Sequence, residues 1–347
     1  MPNYALPRLR RIFAQIQTGG FTTINNTSGT WDPTGAAYIR ASENAVRLTP
    51  VMPKTENPVL TGTRSMQPGT LGRKSATWEL NNVPIIPSGT AGTPPDMDPL
   101  LKNLFGQAPT VVVGTSVTYS FLDSGFLPLT LLDFYHGVPT LIQRLMWGGF
   151  CQEATITFNT NIFTVSFRGI GGYRLDTANF SNEDVGGKAG LTTYPSEPGS
   201  VTYNGNVMPG FYGSVTIDSQ SGLEFKISEM QIRISTGDDF IPYVIGNAYP
   251  QATAGGPRRV GVAIKAVDDD SATLADLKQK AKSNAAVDGT IIIGQTAGAK
   301  CQFNVKSLQL VTEDYTDNTT YTTADFPESF AHASAIGSTD DLTWAWL

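Results

Sequence analysis

The chain repeats itself, and that repetition constrains its fold more than any other feature. Ser42 to Arg47 aligns with Ser228 to Arg233 at an offset of 228 − 42 = 186, and Arg73 and Arg259 keep the same offset. The strands that follow, Ala76 to Leu80 and Val262 to Ala266, hold their apolar positions in register. Later Cys151-Gln152 aligns with Cys301-Gln302 at an offset of 301 − 151 = 150, each pair opening a strand. The contraction, 186 − 150 = 36, places extra residues in the first half, in the Pro/Gly-rich loop 82–95 and within 116–150. The repeated order of strand, long turn, strand, helix, strand, strand predicts two tandem domains, residues 1–183 and 206–347. The Gly-, Ser-, Pro- and Thr-rich stretch 184–205 would link them.

Local patterns are those of a mainly β chain. Ala154 to Phe158 alternates with period two, turns at 159–161, and continues through Ile162 to Phe167, which predicts a hairpin. Gly213 to Asp218 and Leu223 to Ile227 predict a second hairpin, and Ser228 to Ser235 a further strand. Leu342, Trp344 and Trp346 predict one apolar face on a final strand. One helix is expected in each half. Ala272 to Asn284 follows the N-cap Ser271, and Asp96 to Phe105 carries Asp98 as a cap, Pro99 at the first helical position and Gly106 as a terminator.

Charge excludes one class of function. Charged residues make up only 16%, and the net charge is −6. A surface that grips nucleic acid needs a basic patch, which this balance does not provide. Two cysteines are too few for a disulfide-stapled scaffold, and Cys151 and Cys301 are expected as buried free thiols, one per domain. Catalysis finds little support. His136 and His332 are the only histidines, no serine sits in a Gly-x-Ser-x-Gly elbow, and neither cysteine has a ligand at metal spacing. The cluster Gly169 to Gly172 has no following helix to cradle a phosphate. No enzyme activity, cofactor or metal is expected. Met1 to Arg11 is basic without an apolar stretch behind it, and runs such as Thr290 to Ile293 are far too short to span a bilayer. The expectation is a soluble protein with no membrane partner.

Several features together carry a resemblance: a strand, a Gly/Pro-rich loop, Pro94-Pro95-Asp96-Met97-Asp98-Pro99-Leu100-Leu101 with Phe105-Gly106, then an apolar hairpin and Ala154 to Phe158. In that order they resemble tail tube (major tail) proteins of long-tailed bacteriophages, and Gly213 through Leu310 resembles a second copy of the same domain. The resemblance implies two tandem β-sandwich or partly closed barrel domains, each with a flanking helix. It implies a virion protein assembled in the host bacterial cytoplasm. Its rings would stack into a tube that conducts the genome, and it would meet itself and other tail proteins such as tape measure, terminator and baseplate. With two domains per chain, three chains would form a pseudo-sixfold ring.

DNA would pass through the lumen without specific binding, so a wall that does not hold phosphate is required. Glu79, Glu153, Asp268, Asp269 and Asp270 are candidates for it, the alternative being ordinary solvated carboxylates. The apolar stretch within 116–150, with Phe126, Leu127, Leu131, Phe134, Leu141 and Trp147, is either an arm that packs on neighbouring subunits or a central hairpin of the first domain. Competing functions are a tail terminator or baseplate hub on the same fold, a surface adhesin or carbohydrate-binding β-sandwich, and a hydrolase on a β scaffold.

Overall fold

The structure is a computed structural model. It describes residues 10–42, 45–57, 67–136, 142–158, 162–176, 180, 190–199, 205–209, 213–218, 220, 223, 227–241, 249–250, 252–269 and 271–347. The first-half strands are β1 (Arg10–Ile16), β2 (Asn26–Thr27), β3 (Thr30–Trp31), β4 (Ala37–Tyr38), β5 (Val46–Val51), β6 (Lys54–Asn57), β7 (Gln67–Leu71) and β8 (Ser75–Pro84). After helix α1 (Asp98–Phe105) come β9 (Thr110–Val112), β10 (Ser116–Ser120), β11 (Leu129–Tyr135), β12 (Ile142–Phe158), β13 (Thr164–Gly171) and β14 (Tyr173–Asp176). The second half opens with β15 (Gly213–Ile217), β16 (Ile227–Ser235), β17 (Asp239–Phe240), β18 (Thr253–Ala254) and β19 (Arg259–Val267). Helix α2 (Ala272–Ser283) precedes β20 (Ala286–Ile293), β21 (Cys301–Gln309), β22 (Asp314–Asp317), β23 (Thr322–Ala331) and β24 (Leu342–Trp346).

The chain is mainly β and its large sheet is antiparallel. Its centre is a continuous run of eight strands in the order β5-β8-β13-β12-β16-β19-β23-β22. The first four belong to the first half and the last four to the second. They meet where β12 pairs with β16, from Glu153 opposite Ser235 to Phe158 opposite Met230. Two flanking layers cover the apolar side of this run. One is β4-β1-β11-β12-β14, and the other is β9-β10-β24-β21-β20-β15. The second layer is itself shared, because β10 from the first half adds to β24 of the second, with Tyr119 opposite Trp344. One apolar cluster runs through both halves, from Trp78, Leu80 and Phe167 to Ile264, Phe326 and Trp344.

Strand β12 is long because it serves two layers. Residues 142–149 pair with β11 and β14, and residues 150–158 pair with β13 and β16. The change of layer falls at Gly148, whose φ of 60° lies in the left-handed region that a glycine enters without a Cβ penalty. Two buried amides brace the bend. Asn103 on α1 donates to Leu127 O at 2.6 Å and Gly149 O at 3.0 Å, and accepts from Cys151 N at 2.8 Å. Gln17 accepts from Gly148 N at 2.6 Å. The glycine cluster 169–172 has the same origin. A Cβ on Gly169, Gly171 or Gly172 would strike Phe150 O, Met146 or Trp147, so these glycines admit close packing under the bend.

Helix α2 forms where its pattern predicts, with Ser271 Oγ accepting from Leu274 N at 3.4 Å and Asn284 ending it at φ 53°. Helix α1 starts one residue before the position that its capping pattern predicts. Met97 is its N-cap residue, so Asp98 does not cap. Asp98 instead accepts from Tyr119 OH at 2.7 Å and pairs with Lys102 at 2.6 Å.

Other expectations need correction. The strand expected over Gly213 to Asp218 forms as β15 and pairs with β20, Gly213 opposite Ile293, while residues 224–226 of its expected hairpin partner lie outside the described residues. The supposed arm residues do not stand off the body. Leu131 faces the main core, while Phe134 and Trp147 face a second apolar cluster with Phe13, Leu132 and Tyr173. Strand β11 is buried on both faces, which is why its sequence reads as an unbroken apolar run. Leu127 is half-buried, Phe126 is exposed enough to lie against a surface cavity, and Leu141 lies outside the described residues.

The described part of 184–205 packs on the first half. Leu191 is buried there, Thr192 N donates to Gly29 O at 2.8 Å, and Glu197 pairs with His136 at 2.8 Å and Arg11 at 3.0 Å. The two thiols are free and buried, and burial pushes both well up. They are not equivalent in the repeat. Cys151 lies on central β12, whereas Cys301 opens β21 in a flanking layer.

The structure also re-registers the repeat. Val46 opposite Leu80 corresponds to Met230 opposite Ile264, an offset of 230 − 46 = 184 that holds for both strands, since 264 − 80 = 184. The slip from 186 to 184 is two residues, so every side chain keeps its face. The β12-β13 hairpin corresponds to β22-β23, because Thr157 opposite Thr164 matches Thr316 opposite Thr323, with 316 − 157 = 323 − 164 = 159.

Candidate functional site

Alternation along β8, β13, β12, β16 and β19 puts a polar face on the side away from the core. On that face four strands line up charges of alternating sign. Arg47 is opposite Glu79, Glu79 opposite Arg168, and Arg168 opposite Glu153. Arg168 is ion-paired with Glu153, and Arg233 reaches the same carboxylate from β16 at 2.8 Å. Hydrogen bonding and charge from Glu153 push the Arg233 guanidinium further up. Arg233 also approaches Glu328 at 3.8 Å, and Lys265 pairs with Asp325 at 3.6 Å. Threonines and serines such as Thr77, Thr155, Thr157 and Ser166 fill the positions between.

This arrangement has a chemical consequence. Arg168, Arg233 and Lys265 are each ion-paired with a carboxylate and Arg47 lies opposite Glu79, so most cations of this face already have a counter-charge. Exposed pairs of this kind add at most about 1 kcal/mol each to stability. Their value lies in the surface they make.

The structure brings two of the five acidic candidates to this face, Glu79 and Glu153. Asp268 and Asp269 lie elsewhere, at the turn into α2. Asp268 takes Lys278 Nζ at 2.5 Å, and Asp269 accepts from Ser271 N at 3.1 Å and Ser271 Oγ at 2.6 Å. Both belong to the entry of the helix. Asp270 lies outside the described residues. Sequence reasoning missed the cations of the ladder, and the signal for them was strand parity. Gln231, Arg233 and Ser235 alternate with buried Ile232 and Ile234, as Arg47 and Thr49 do with Val46 and Leu48.

The run has two edges. Among the described residues, β5 has a ladder partner on one side, β8, and β22 on one side, β23. Beside the β22 edge, a groove of about 720 Å³ opens between the end of α2 and β23, lined by Ala281, Asn284, Leu310, Val311, Phe330 and His332. Beside the internal joint of the two halves lies a smaller cavity of about 330 Å³, between the end of α1 and the 236–238 and 255–258 turns. Arg258 crosses between the halves there, bound to Asp341 at 2.8 Å and Asp123 at 2.9 Å, with its guanidinium 4.1 Å from the centre of the Phe121 ring.

Asp238 lines the same cavity, and burial pushes its carboxyl up to about 6, partly opposed by a hydrogen bond from Thr236. A carboxyl raised in the folded state binds its proton more tightly there than in the unfolded chain. Stability contributed by this group is therefore greatest at low pH and is lost as pH rises from about 4 through about 6. Asp238→Asn is expected to remove that component. In the variant the urea midpoint at pH 4.5 should fall relative to the midpoint at pH 7.5, and an unchanged difference between the two would refute the assignment.

Among the described residues no group of three or more His, Cys, Asp or Glu side chains is placed to hold a metal ion, and no helix is long and apolar enough to cross a membrane. A scan against protein-family models and a search of curated proteins each return no match for this chain.

Proposed function

We propose that this chain is a structural subunit of a phage-type tail tube. Three copies close head to tail into a pseudo-sixfold ring, and the rings stack into a conduit for DNA. The observation that carries the reading is the eight-strand run, four strands from each half, joined by the same antiparallel pairing that a ring of domains would need between neighbours. Three copies would supply 3 × 8 = 24 strands. Closed barrels of about 16–18 strands already leave a water-filled channel, so a 24-strand closure leaves a wider one. The polar face would then line the lumen. Its charges are opposed pair by pair, which suits a surface that phosphates slide past, because each unopposed lysine or arginine would hold the polymer back. The role needs no catalytic residue, and the ladder needs no cofactor.

Electron microscopy and mass measurement of the purified protein test the reading. Expected are extended tubes with three chains per ring. Six chains per ring would refute the trimer, and a protein that stays monomeric at high concentration would refute assembly altogether. Single unstacked rings would favour the tail terminator or baseplate hub.

A further inference from the structure

The internal joint is a template for the external one. The β12-β13 hairpin maps onto β22-β23 at an offset of 159, and β5-β8 maps onto β16-β19 at an offset of 184. Within the chain, β12 pairs with β16, Ile156 opposite Ile232. Carried through both offsets, 156 + 159 = 315 and 232 − 184 = 48, the same joint places Tyr315 opposite Leu48. These lie on the two strands of the run that have one ladder partner each among the described residues.

The corner beyond the ladder maps as well. At the internal joint Thr236 N donates to Gln152 O at 3.0 Å, and Thr236 Oγ1 donates to Cys151 O at 2.9 Å. Their counterparts are Met52, since 236 − 184 = 52, and Val311, since 152 + 159 = 311. Both ends of that virtual contact are apolar and exposed. Val51, Met52 and Leu71 are 37%, 41% and 62% exposed on the β5 side, and Val311 and Phe330 are 42% and 41% exposed in the groove beside β22. Large apolar side chains left in water at two places that the repeat brings together mark an interface. Charge agrees with this. The β22 edge carries Asp314 and Asp317, and the β5 side carries Arg47 and Lys54.

We infer that the β22 edge and the Val311–Phe330 groove of one chain receive the β5 edge and the Val51–Met52 corner of a second copy. The pairing is antiparallel, with Tyr315 opposite Leu48 and Asp314 opposite Thr49. The inference rests on the ring reading and names the contact that closes the ring.

In the single chain the edge is guarded. Pro50 removes one donor, Arg10 donates to Val46 O at 2.8 Å, and Arg174 donates to Leu48 O at 3.2 Å. Each carbonyl keeps a second lone pair, so the ladder can form over these contacts. The Tyr315 N–H, held by its neighbour's Asp314 carboxylate at 2.8 Å, turns to Leu48 O. Such guarding restrains pairing with wrong strands while leaving the matched edge competent.

The test is a cysteine pair in the full chain. Asp314 and Thr49 are exposed and fall at a non-hydrogen-bonded position, where antiparallel Cα atoms approach to about 4.5 Å, within disulfide range. They sit at opposite edges of the run, about 34 Å apart along the sheet, so a bond between them joins two chains. The native thiols are buried. Asp314→Cys with Thr49→Cys should oxidise to a covalent ladder that stops at three chains. Ile336→Cys with Thr49→Cys, which uses a fully exposed loop residue, should give about tenfold less product. Phe330→Asp should raise the concentration needed for assembly about tenfold, and no change would overturn the groove contact. If wild-type tubes form and the Asp314/Thr49 pair gives no ladder, the inference is overturned while the tube reading stands. A ladder without tubes supports the edge contact and removes the tube. A ladder that runs past three chains keeps the edge contact and removes the three-chain ring.

Discussion

Asn103→Leu is expected to destabilise the chain by about 4 kcal/mol. The shapes are close, so little volume is lost, and the effect isolates the amide. Asn103 is 5% exposed and satisfies three buried backbone groups, Leu127 O, Gly149 O and Cys151 N. Each orphaned group costs about 1–3 kcal/mol when water cannot replace the partner. These three groups sit where β12 leaves one layer for the other, so the loss is concentrated on the strand that pairs with β16. Urea unfolding of the variant should show the lower midpoint with an unchanged slope. A cost below about 1 kcal/mol would mean that the bend is held by Gly148 and packing alone. The variant should also assemble poorly, because the β12-β16 joint is the link between the two halves of the proposed lumen wall.

The parts of this fold that were legible in the sequence are the local ones. The hairpin around 159–161, helix α2 after Ser271, and the aromatic face of β24 follow from alternation, capping and a short polar turn. Pairings between distant strands were not legible. Nothing in Ser116 to Ser120 announces that it joins β24, since backbone ladders form between any two matched edges and carry no residue code. The apolar run from Leu129 to Phe134 could be read as exposed arm or buried strand, and burial on both faces decides for the strand.

The repeat shows the same division. Similarity between the halves was legible, yet its register rested on Ser42 and Ser228 for the early strands and on the cysteine pair for the later ones, and the two cysteines occupy different layers. A better anchor lay in plain view. Thr157, Asn159, Thr160, Thr164 and Phe167 recur as Thr316, Asn318, Thr319, Thr323 and Phe326, all at offset 159. Those identities cluster on a hairpin that both halves build in the same way. Glu79 and Glu153 were found because carboxylates were sought as candidates for a wall that does not hold phosphate, while their partner arginines were passed over because cations were not weighed with them. The structure instead gives neutralised pairs.

Asp133→Ala is the second change with a large expected effect, about 3–5 kcal/mol. Asp133 is fully buried on β11 and takes a two-pronged hydrogen bond from Arg10, Nε at 2.6 Å and Nη2 at 2.7 Å. Burial pushes the carboxyl up, against the pull of Arg10, Arg144 and Arg174. The pair is therefore costly to keep dry, and losing one member is costlier still, because Arg10 is left charged at 10% exposure. Replacing both members by apolar residues, Arg10→Met with Asp133→Leu, removes the stranded charge and should restore stability to within about 1 kcal/mol of wild type. Equal losses in the single and double variants would show that the ion pair is a net stabiliser and would refute this account. The double variant also tests a further role of Arg10. Arg10 also holds Val46 O on the β5 edge, so its removal unguards the edge at one carbonyl without touching Leu48 or the Val51–Met52 corner. If that edge receives β22 of a second copy, the double variant should fold normally and assemble at least as readily as wild type, since the ladder no longer shares that acceptor.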